Sequence, residues 1–394
     1  MRIGLITGEY PPMQGGVGDF TAQLAQALAG LGHDVHVLTG RSDEYPPARD
    51  TCFEVHRAVE HWKWGCWKQI LRVAGEIGLE VLNVQYQAAA YSLHPAINFL
   101  PRVTHRPPVV VTFHDLKVPY LFPKAGPLRW QAVRMLALRA DSVIVTNRED
   151  YLHLQSELTN QRLNLIPIGS NIPAVLPPGY DRAAERARWG VGPDDLLLGY
   201  FGFLNESKGV EDLIQGMAIL RARGLPAHLL MIGGRVGSSD PTNQAYAEHV
   251  ERLIRQLNLE QRVHWTGYTL PEAVSAGLMA ADICVLPYRD GVSFRRGTLH
   301  ACLSHGRAIV TTMPAVPLPE IRHGENMLLI RPRAPEELAE AITLLAQDQA
   351  LRERLESGAR ALAAGFAWER IARQTAALFG RLSRDNQTGC PAEK

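Results

Sequence analysis

Three short segments combine glycine with residue types that bind phosphate, and each follows a run of apolar residues. In the first, Gly15, Gly16 and Gly18 stand directly before a helical segment. Glycine lets the backbone approach a ligand closely, and free N–H groups at a helix start attract an anion. The same glycines also suit a structural turn, so this segment predicts either a turn or a phosphate cradle. Because Thr21 stands where a dinucleotide fingerprint needs glycine or alanine, a nicotinamide dehydrogenase is the weakest alternative.

The second and third segments place cations beside a helix start. Asn205 and Lys208 precede a helical segment, where an ammonium and orphan N–H donors suit a diphosphate. A surface lysine in a capped loop is the alternative reading. In the third segment, Arg295 and Arg296 lead into a helix predicted over 298–304, and guanidinium forks at a helix start bind phosphate well. We favour phosphate binding over a solvated loop here, because the segment follows an apolar strand on the expected ligand side.

A histidine directly follows the apolar run 109–113. His114 at that position can donate a hydrogen bond to a sugar hydroxyl or handle a proton near neutral pH. The alternative is that His114 and Asp115 only cap the loop. The sequence leaves both readings open.

Residues 61–68 interleave three tryptophans with two lysines. We expect a helix that packs its tryptophans inward while the lysine ammonium groups reach solvent. The less favoured alternative is contact with a lipid-linked acceptor at a membrane surface.

The elements that must position these residues alternate between short apolar strands and segments of helical period. Helices are predicted, for example, over 20–31, 210–221 and 336–345. The predicted strands are 3–7, 35–39, 81–85, 109–113, 142–146, 164–168, 196–203, 227–232, 263–266, 283–287, 308–312 and 327–330. This order predicts an α/β protein of two Rossmann-like domains facing across a cleft, with ligands at the carboxyl ends of parallel strands.

A cluster of prolines and glycine over 172–179 reads as a linker between the two domains. We therefore predict an N-terminal domain over 1–175, a C-terminal domain over 176–365, and a final segment over 366–394. That segment contains a helix predicted over 368–382 and a polar, frayed tail from Ser383.

Bulk composition fits this arrangement. The 394 residues suit two domains, and 41 basic against 40 acidic side chains leave a formal net charge of +1. Such a balance gives no electrostatic case for nucleic acid or an anionic membrane as the main partner. The five cysteines form no CxxC pair, and Cys284 and Cys302 read as core residues, so no metal site or disulfide is predicted. Residues 1–7 resemble a buried strand rather than a signal peptide, and no apolar run approaches ~20 residues, so a cytoplasmic protein is expected.

The order of several motifs along the chain is more specific than any one of them. The motifs are 11–16, 24–35, 143–147, 166–171, 202–209, 263–268, 281–287, 306–310, 319–326 and 366–368. In this order they resemble the retaining nucleotide-sugar glycosyltransferases of family 4, which have the GT-B fold, over nearly the whole chain.

The resemblance implies a donor held mainly by the second domain and an acceptor held mainly by the first. It places the loop at Gly15 and Gly16 near the donor phosphates and His114 near the transferred sugar. Lys208 matches the family's diphosphate-binding lysine, and the helix that opens at Trp368 would cross back onto the first domain. On this basis the predicted catalytic residues are His114, Lys208 and Arg296. The predicted donor-binding residues are Gly15, Gly16, Gly18, Asn205, Gly234, Gly267, Ser293, Arg295, Gly297, Thr298 and Glu320.

The chain also departs from the family's pattern. Phe203 stands where the family pairs an arginine with the lysine, and Ser293 and Ala301 stand where two glutamates are usual. Asp290 and His300 are nearby but out of register. One hypothesis is that Arg295 and Arg296 supply part of the missing phosphate contact.

We therefore expect a glycosyltransferase that moves a sugar from a nucleotide diphosphate donor with retention of configuration, without a metal or other cofactor. The acceptor is a sugar, a lipid-linked group or a small molecule, and any membrane contact is peripheral. The alternatives are a non-catalytic protein that binds a nucleotide sugar or a partner, and a nucleotide-sugar epimerase.

Overall fold

The computed structural model describes residues 1–13, 15–41, 52–116, 126–235 and 241–388. The chain forms two compact units. The first unit comprises Met1–Gly169 and the segment from Ala367 onwards, and the second comprises Ser170–Phe366. The C-terminal segment therefore belongs to the same compact unit as the N-terminal half of the chain.

A seven-stranded parallel sheet lies at the centre of the first unit, in the order β3-β2-β1-β4-β5-β6-β7. Its strands are β1 (Arg2–Thr7), β2 (Asp34–Gly40), β3 (Glu54–Val59), β4 (Val81–Tyr86), β5 (Val109–Phe113), β6 (Ser142–Val145) and β7 (Leu163–Leu165). The central strands are buried on both faces, which explains their continuous apolar runs. The helices of this unit are α1 (Gly16–Gly30), α2 (Cys66–Ile77), α3 (Leu100–Val103), α4 (Gly126–Arg139), α5 (Arg148–Leu154) and, from the C-terminal segment, α13 (Trp368–Thr388).

The second unit repeats this architecture with a six-stranded parallel sheet in the order β10-β9-β8-β11-β12-β13. Its strands are β8 (Leu196–Phe201), β9 (Ala227–Ile232), β10 (Val263–Trp265), β11 (Ile283–Leu286), β12 (Ala308–Thr312) and β13 (Leu328–Ile330). Its helices are α6 (Arg182–Arg188), α7 (Val210–Ala222), α8 (Pro241–Gln256), α9 (Pro271–Ala280), α10 (Gly297–Ser304), α11 (Pro335–Gln347) and α12 (Gln349–Ala363).

Helix α13 packs on α1 within the first unit. Phe379 and Ile371 are fully buried in the same apolar cluster as Leu24 and Leu28 of α1. The amphipathic period of α13 therefore buries one face against the N-terminal Rossmann-like unit.

The predicted α/β class with two Rossmann-like units is confirmed. Each of the twelve predicted strands overlaps a strand of the structure, although β7 ends at Leu165 rather than at residue 168. The prediction missed β3, an edge strand whose polar and apolar residues are mixed. The tail predicted to fray from Ser383 is still helical through Thr388, because Ser383 is itself buried.

The prediction for residues 61–68 was wrong in part. The helix begins only at Cys66, and Trp62 is buried beside Tyr91. Trp64, in contrast, is 60% exposed and makes edge contacts with neighbouring rings instead of entering the core. The alternation of tryptophan and lysine did not reveal this because the segment is not yet helical at Trp64.

Candidate active site

The sequence-predicted residues lie at the carboxyl ends of the strands in each sheet, where open parallel sheets bind ligands. They fall into two groups, one in each unit. The glycine loop and His114 belong to the first unit, and all the others belong to the second.

In the first unit, a carboxylate of the chain itself occupies the start of α1. Glu9 Oε1 accepts hydrogen bonds from the backbone N–H groups of Val17 (3.0 Å) and Gly18 (3.3 Å). A Cβ atom at Gly15 would lie 2.2 Å from this carboxylate, so only glycine permits the approach. The anion that these amides bind is therefore a carboxylate of the chain itself, and Gly16 is exposed beside it.

A second carboxylate lies in the first turn of α1. The pKa of Asp19 is raised to about 6, first by burial of its carboxyl group and then by the negative charge of Glu9. Burial also raises the pKa of Glu9, although the two backbone hydrogen bonds oppose this. The helix start therefore carries two neighbouring carboxyl groups, each with a raised pKa.

His114 ends a chain of buried polar side chains. Asn83 of β4 donates to Thr112 of β5 (2.9 Å) and accepts from the Gln85 amide. The Gln85 carbonyl oxygen then faces His114 Nε2 at 2.9 Å, so this nitrogen is the donor. Burial lowers the pKa of His114 to about 3, and the imidazole is neutral at pH 7. The structure thus favours a hydrogen-bonding role for His114 over proton transfer.

Aromatic packing fixes the ring of His114 from the side of α1. The Phe20 ring meets the His114 ring edge-on, with centroids 4.6 Å apart. On its other side Phe20 lies 5.1 Å from Trp368, the first residue of α13. The C-terminal helix therefore supports the position of His114 through one intervening ring.

In the second unit, Lys208 closes the loop between β8 and α7. Asn205 caps this loop, since its side chain accepts hydrogen bonds from Lys208 N (3.2 Å) and Ser207 Oγ (2.9 Å). Lys208 Nζ has no hydrogen-bond or ion-pair partner within the described ranges and lies 6.0 Å from the centre of the Phe203 ring. Burial and then the charge of Arg296 lower its pKa to about 8. Lys208 is therefore a half-buried amine whose protonated form is disfavoured by its surroundings.

Gly202 gives Lys208 the room to adopt this position. Its φ of +131° is strained for any residue with a side chain. A Cβ atom there would also lie 2.9 Å from Lys208 Nζ and 2.9 Å from Thr298 Cγ2. Gly202, Lys208 and Thr298 therefore converge on one point at the end of β8.

The two arginines of the third segment share one carboxylate. Arg296 Nη2 contacts both oxygens of Asp290 (2.6 and 2.7 Å), and Arg295 Nη2 contacts one of them (2.6 Å). The guanidinium of Arg296 also lies 4.9 Å over the Tyr288 ring and 3.4 Å from Ser207 Oγ. Its Nε is buried without a hydrogen-bond partner within the described residues. Arg296 therefore keeps one unused donor, whereas the Arg295 side chain is almost fully buried.

Helix α10 begins beside these cations without a side-chain cap from its N-cap residue, Arg296. Space is open around Gly297, and Thr298 Oγ1 makes a 2.6 Å hydrogen bond with the Tyr288 hydroxyl. The first N–H groups of α10 thus add partial positive charge to the same location.

An ion-pair network that the sequence did not reveal joins the loops of Lys208 and Arg296. Arg289 donates to both oxygens of Asp212 (2.9 and 2.8 Å) and to Glu211 (2.8 Å) at the start of α7. The backbone N–H of Arg289 donates to the carbonyl of Ser207 (2.8 Å). The sequence does contain an indication of this network. Glu211 and Asp212 directly follow the lysine loop, and two adjacent carboxylates that become partly buried need a cation nearby.

Also at the carboxyl ends of the strands of the second sheet, two aromatic residues lie beside a predicted glycine. A Cβ atom at Gly234 would lie 3.1 Å from the Phe203 ring and 3.8 Å from Tyr268 Cβ. Tyr268 is 67% exposed and follows Gly267, around which space is open. Phe203, which replaces the family's arginine, therefore contributes an exposed ring face instead of a charge.

Several predicted residues are not brought into this cluster. Ser293 is buried, and the side chain of Glu320 is exposed while its carbonyl accepts from Asn326 (2.9 Å). His300 is buried and its Nε2 contacts the carbonyl of Phe294 at 2.7 Å, and Ala301 is fully buried. Neither position that departs from the family's paired glutamates carries a carboxylate.

Comparisons with known proteins agree with this architecture. Residues 14–172 match the family model described as Glycosyltransferase Family 4, and residues 195–348 match the one described as Glycosyl transferases group 1. The D-inositol 3-phosphate glycosyltransferase of Corynebacterium efficiens is 28% identical over 302 residues, which cover 73% of this chain and 69% of the relative. The enzyme of that name from Kineococcus radiotolerans is 26% identical over 435 residues, covering 98% and 96%.

Solved structures show the same fold. HepE from Anabaena, in complex with UDP and glucose, superposes with a TM-score of 0.76 at 19% identity and covers 97% of this chain and 100% of its own. Sucrose-phosphate synthase from Thermosynechococcus elongatus gives a TM-score of 0.76 at 22% identity and covers 97% and 99%. Two matched families and two parallel α/β units define the class, and the chain belongs to the GT-B glycosyltransferases. Among the described residues, no helix has the length and apolar character needed to cross a membrane.

Proposed function

We propose that this glycosyltransferase transfers a sugar from a nucleoside diphosphate donor and that its second unit binds the donor. The observation that carries the proposal is the Lys208 ammonium, which has no partner within the described residues and sits beside Gly202, Arg296 and the start of α10. Lys208 is also the one lysine of the sequence between residues 125 and 393, where the other basic side chains apart from histidine are arginines. A diphosphate would supply the missing acceptor.

Lys208 and Arg296, together with the start of α10, would stabilise the leaving group. As the bond between sugar and diphosphate breaks, negative charge grows on the leaving phosphate. Lys208, Arg296 and the first N–H groups of α10 are fixed in advance by their loops, so they stabilise that charge without reorganising. Asp290 holds Arg296 in place and is a positioning residue in this scheme.

The aromatic pair beside Gly234 suits the base of the donor. A flat ring can stack on the exposed faces of Phe203 and Tyr268 because glycine at 234 leaves the space open. HepE has been solved in complex with UDP, which makes a uridine nucleotide the first to test.

The first unit is proposed to bind the acceptor. The relatives are named for D-inositol 3-phosphate, but the site at α1 carries the carboxylates of Glu9 and Asp19. Carboxylates accept hydrogen bonds from hydroxyl groups and repel phosphate. We therefore propose that the acceptor presents an uncharged sugar or polyol to this helix start.

Retention of configuration is part of the proposal. At the positions of Ser293 and Ala301 there is no carboxylate to act as a nucleophile, and the carboxylate of Asp290 is committed to two arginines. The leaving phosphate can instead take the proton of the acceptor hydroxyl while the new bond forms on the same face of the sugar.

The buried, non-acidic Ser293 and Ala301 also support a second candidate, a protein that binds a nucleotide sugar without turnover. The two candidates share the donor site and differ in catalysis. Anomeric analysis of any product also distinguishes retention from inversion.

The test is thermal stabilisation of the full chain by UDP-, GDP- and ADP-linked sugars, followed by donor hydrolysis and transfer to neutral sugars and polyols. A ligand at 100 times its Kd adds about 2.7 kcal/mol to the free energy of unfolding. Lys208→Gln should weaken donor binding about 10- to 100-fold, since a charge-assisted hydrogen bond contributes about 1.5–3 kcal/mol. The exposed-surface variant Lys68→Gln in the first unit is the matched control and should bind as the parent does.

The proposals predict different outcomes. Binding with turnover supports the transferase, and binding without turnover on a broad acceptor panel supports the non-catalytic protein. Unchanged donor affinity in Lys208→Gln contradicts the proposed donor site. For the acceptor, Glu9→Gln with Asp19→Asn should improve use of phosphorylated acceptors relative to neutral ones, and an unchanged ratio contradicts that part.

A further inference from the structure

Two neighbouring strands at the edge of the first sheet share a short pattern of acid, valine and histidine. Strand β2 opens with Asp34-Val35-His36, and strand β3 opens with Glu54-Val55-His56. Side chains two residues apart on a strand point to the same face. In the parallel register His36 is paired with Glu54, and Leu38 with His56. All four polar side chains therefore project on one face of the sheet edge.

Three of their atoms surround a common point. His36 Nδ1 lies 3.0 Å from His56 Nε2, and Glu54 Oε2 lies 3.8 Å from the first nitrogen and 3.6 Å from the second. A triangle with these sides has a circumscribed circle of about 2.0 Å radius, which is the length of a zinc–nitrogen or zinc–oxygen bond. An ion at its centre needs almost no movement of the ligands.

The surroundings also favour a cation. The carboxylate of Asp34 lies 3.1 Å from the buried Nε2 of His36, the other nitrogen of that ring, at ion-pair distance but without hydrogen-bond geometry. A carboxylate on the second nitrogen of a metal-bound histidine orients the ring and strengthens the ligand. His36 is buried, whereas the side chains of Glu54 and His56 are 55% and 25% exposed. The candidate metal site therefore has one buried ligand, His36, and two ligands that are partly exposed. A metal ion can reach the site from solvent, and a water molecule can complete its coordination.

The second sheet offers a natural comparison at its own edge. His228 of β9 and His264 of β10 are also 3.0 Å apart, and Asp195 lies 3.8 Å from His228. The charged residue that corresponds to Glu54 is a cation here. Arg262 directly precedes β10, and its positive charge acts on His228. Among the described residues no third ligand joins this pair, whereas His36, Glu54 and His56 form a set of three. A pair of histidines on neighbouring edge strands can therefore be explained by a hydrogen bond alone. The site in the first sheet differs from the pair in the second sheet because Glu54 adds a third ligand.

We propose that His36, Glu54 and His56 bind a divalent transition metal ion, with zinc as the ion that two imidazoles and a carboxylate suit best. Water completes its coordination, and Asp34 supports His36 from the second nitrogen. The ion fastens edge strand β3 to β2 and has a structural role. It is independent of the proposed glycosyl transfer. No short metal-binding motif is present in the sequence, because the two histidines are 20 positions apart.

The experiment uses the full chain, freed of metal by a chelator and titrated with Zn²⁺ by calorimetry and with Co²⁺ by visible absorption. We expect one tight equivalent of Zn²⁺, a rise in Tm with Zn²⁺, and a Co²⁺ spectrum of four-coordinate nitrogen and oxygen ligands. Glu54→Gln should weaken Zn²⁺ binding at least tenfold, and Asp34→Asn about 10- to 100-fold, as outer ligands do elsewhere. Both side chains are exposed, so both variants should fold.

His264→Gln removes the matching histidine of the second sheet and is the control. It should leave the Zn²⁺ affinity and the Co²⁺ spectrum unchanged, while His56→Gln abolishes both. The proposal is overturned if the parent binds no stoichiometric Zn²⁺, if Glu54→Gln binds it as tightly as the parent, or if His264→Gln loses it instead.

Discussion

Lys208 and Arg296 show how two like charges can be held close in the absence of a ligand. Asp290 balances Arg296, whereas Lys208 Nζ has no such partner within the described part of the chain. Burial and the neighbouring guanidinium then lower the pKa of Lys208 to about 8. A diphosphate bound at the proposed donor site would lower the free-energy cost of keeping this amine protonated.

The first prediction concerns the reactivity of Lys208. At pH 8 about half of its amine is neutral, whereas an ordinary lysine with a pKa near 10.4 is almost entirely charged. An amine-directed reagent at pH 8 should therefore modify Lys208 faster than Lys63 or Lys68, with the difference shrinking as the pH approaches 10. Peptide mass spectrometry measures the rates. Excess UDP should protect Lys208 and leave the other two unaffected, and equal rates at all three lysines would contradict the lowered pKa.

The second prediction concerns Asp19, whose folded-state pKa of about 6 exceeds the unfolded value near 3.9. The folded state binds this proton more tightly, so the stability it contributes is full below pH 4 and is lost as the pH rises through 6. Asp19→Asn should therefore raise the free energy of unfolding at pH 7.5 relative to the parent, but not at pH 3.5. Because Asp19 is partly exposed, we expect less than about 1 kcal/mol. Urea unfolding at both pH values measures it, with the exposed Asp194→Asn as a control that should show no such difference.

The first and last helices of the described chain, α1 and α13, pack against each other in the first unit. α1 supplies Phe20 against His114, and α13 supplies Trp368 against Phe20. Along the remainder of α13, Ile371, Ala372 and Phe379 are fully buried. The last helix is therefore part of the core that positions the proposed acceptor site, although it follows the second unit in sequence.

The third prediction tests this packing. Phe379→Ala removes a ring with no exposed surface, and such a change costs about 3–5 kcal/mol. The loss should appear in the unfolding of the first unit, measured by hydrogen exchange in α1, with little change in the second unit. Arg381→Ala changes an exposed residue of the same helix and should be nearly neutral. Equal protection of α1 in both variants would mean that α13 does not hold α1 in place.

Across the whole molecule, each unit has its own sheet, core and group of polar residues at the carboxyl ends of its strands. The positive group lies in the second unit and the paired carboxylates lie in the first. This division of charge is the physical basis for assigning donor and acceptor to different units.

The fourth prediction tests that division. A saturating nucleoside diphosphate should slow hydrogen exchange at 202–209 and 290–299 in the second unit, because it supplies acceptors for their N–H groups and for Lys208. The loop at the start of α1 should be unaffected by the nucleotide alone, since Glu9 already occupies its amides. Protection of the α1 loop by the nucleotide alone would show that the donor displaces Glu9, contrary to the assignment proposed here.

Much of the fold could be predicted from the sequence because buried parallel strands carry their own signal. Runs such as Val109–Phe113 are apolar on both faces, and the helices between them keep a regular period. The edge strand β3 lacked that signal, since one side of an edge strand meets no neighbour and tolerates polar residues. The sequence placed Lys208, Arg296 and His114 at strand ends. It could not determine their partners, because these depend on how the loops fold in three dimensions.

Residue types, their order and the alternation of strands and helices determined the class of this protein and the loops where its chemistry lies. Only the tertiary structure decided which charges meet. It set the Glu9 carboxylate on the α1 amides, paired Asp290 with two arginines, left Lys208 without a partner in the described residues, and brought Glu54 to His36 and His56. These outcomes depend on distances of a few ångströms between segments far apart in sequence, and Coulomb and hydrogen-bond energies change steeply over that range.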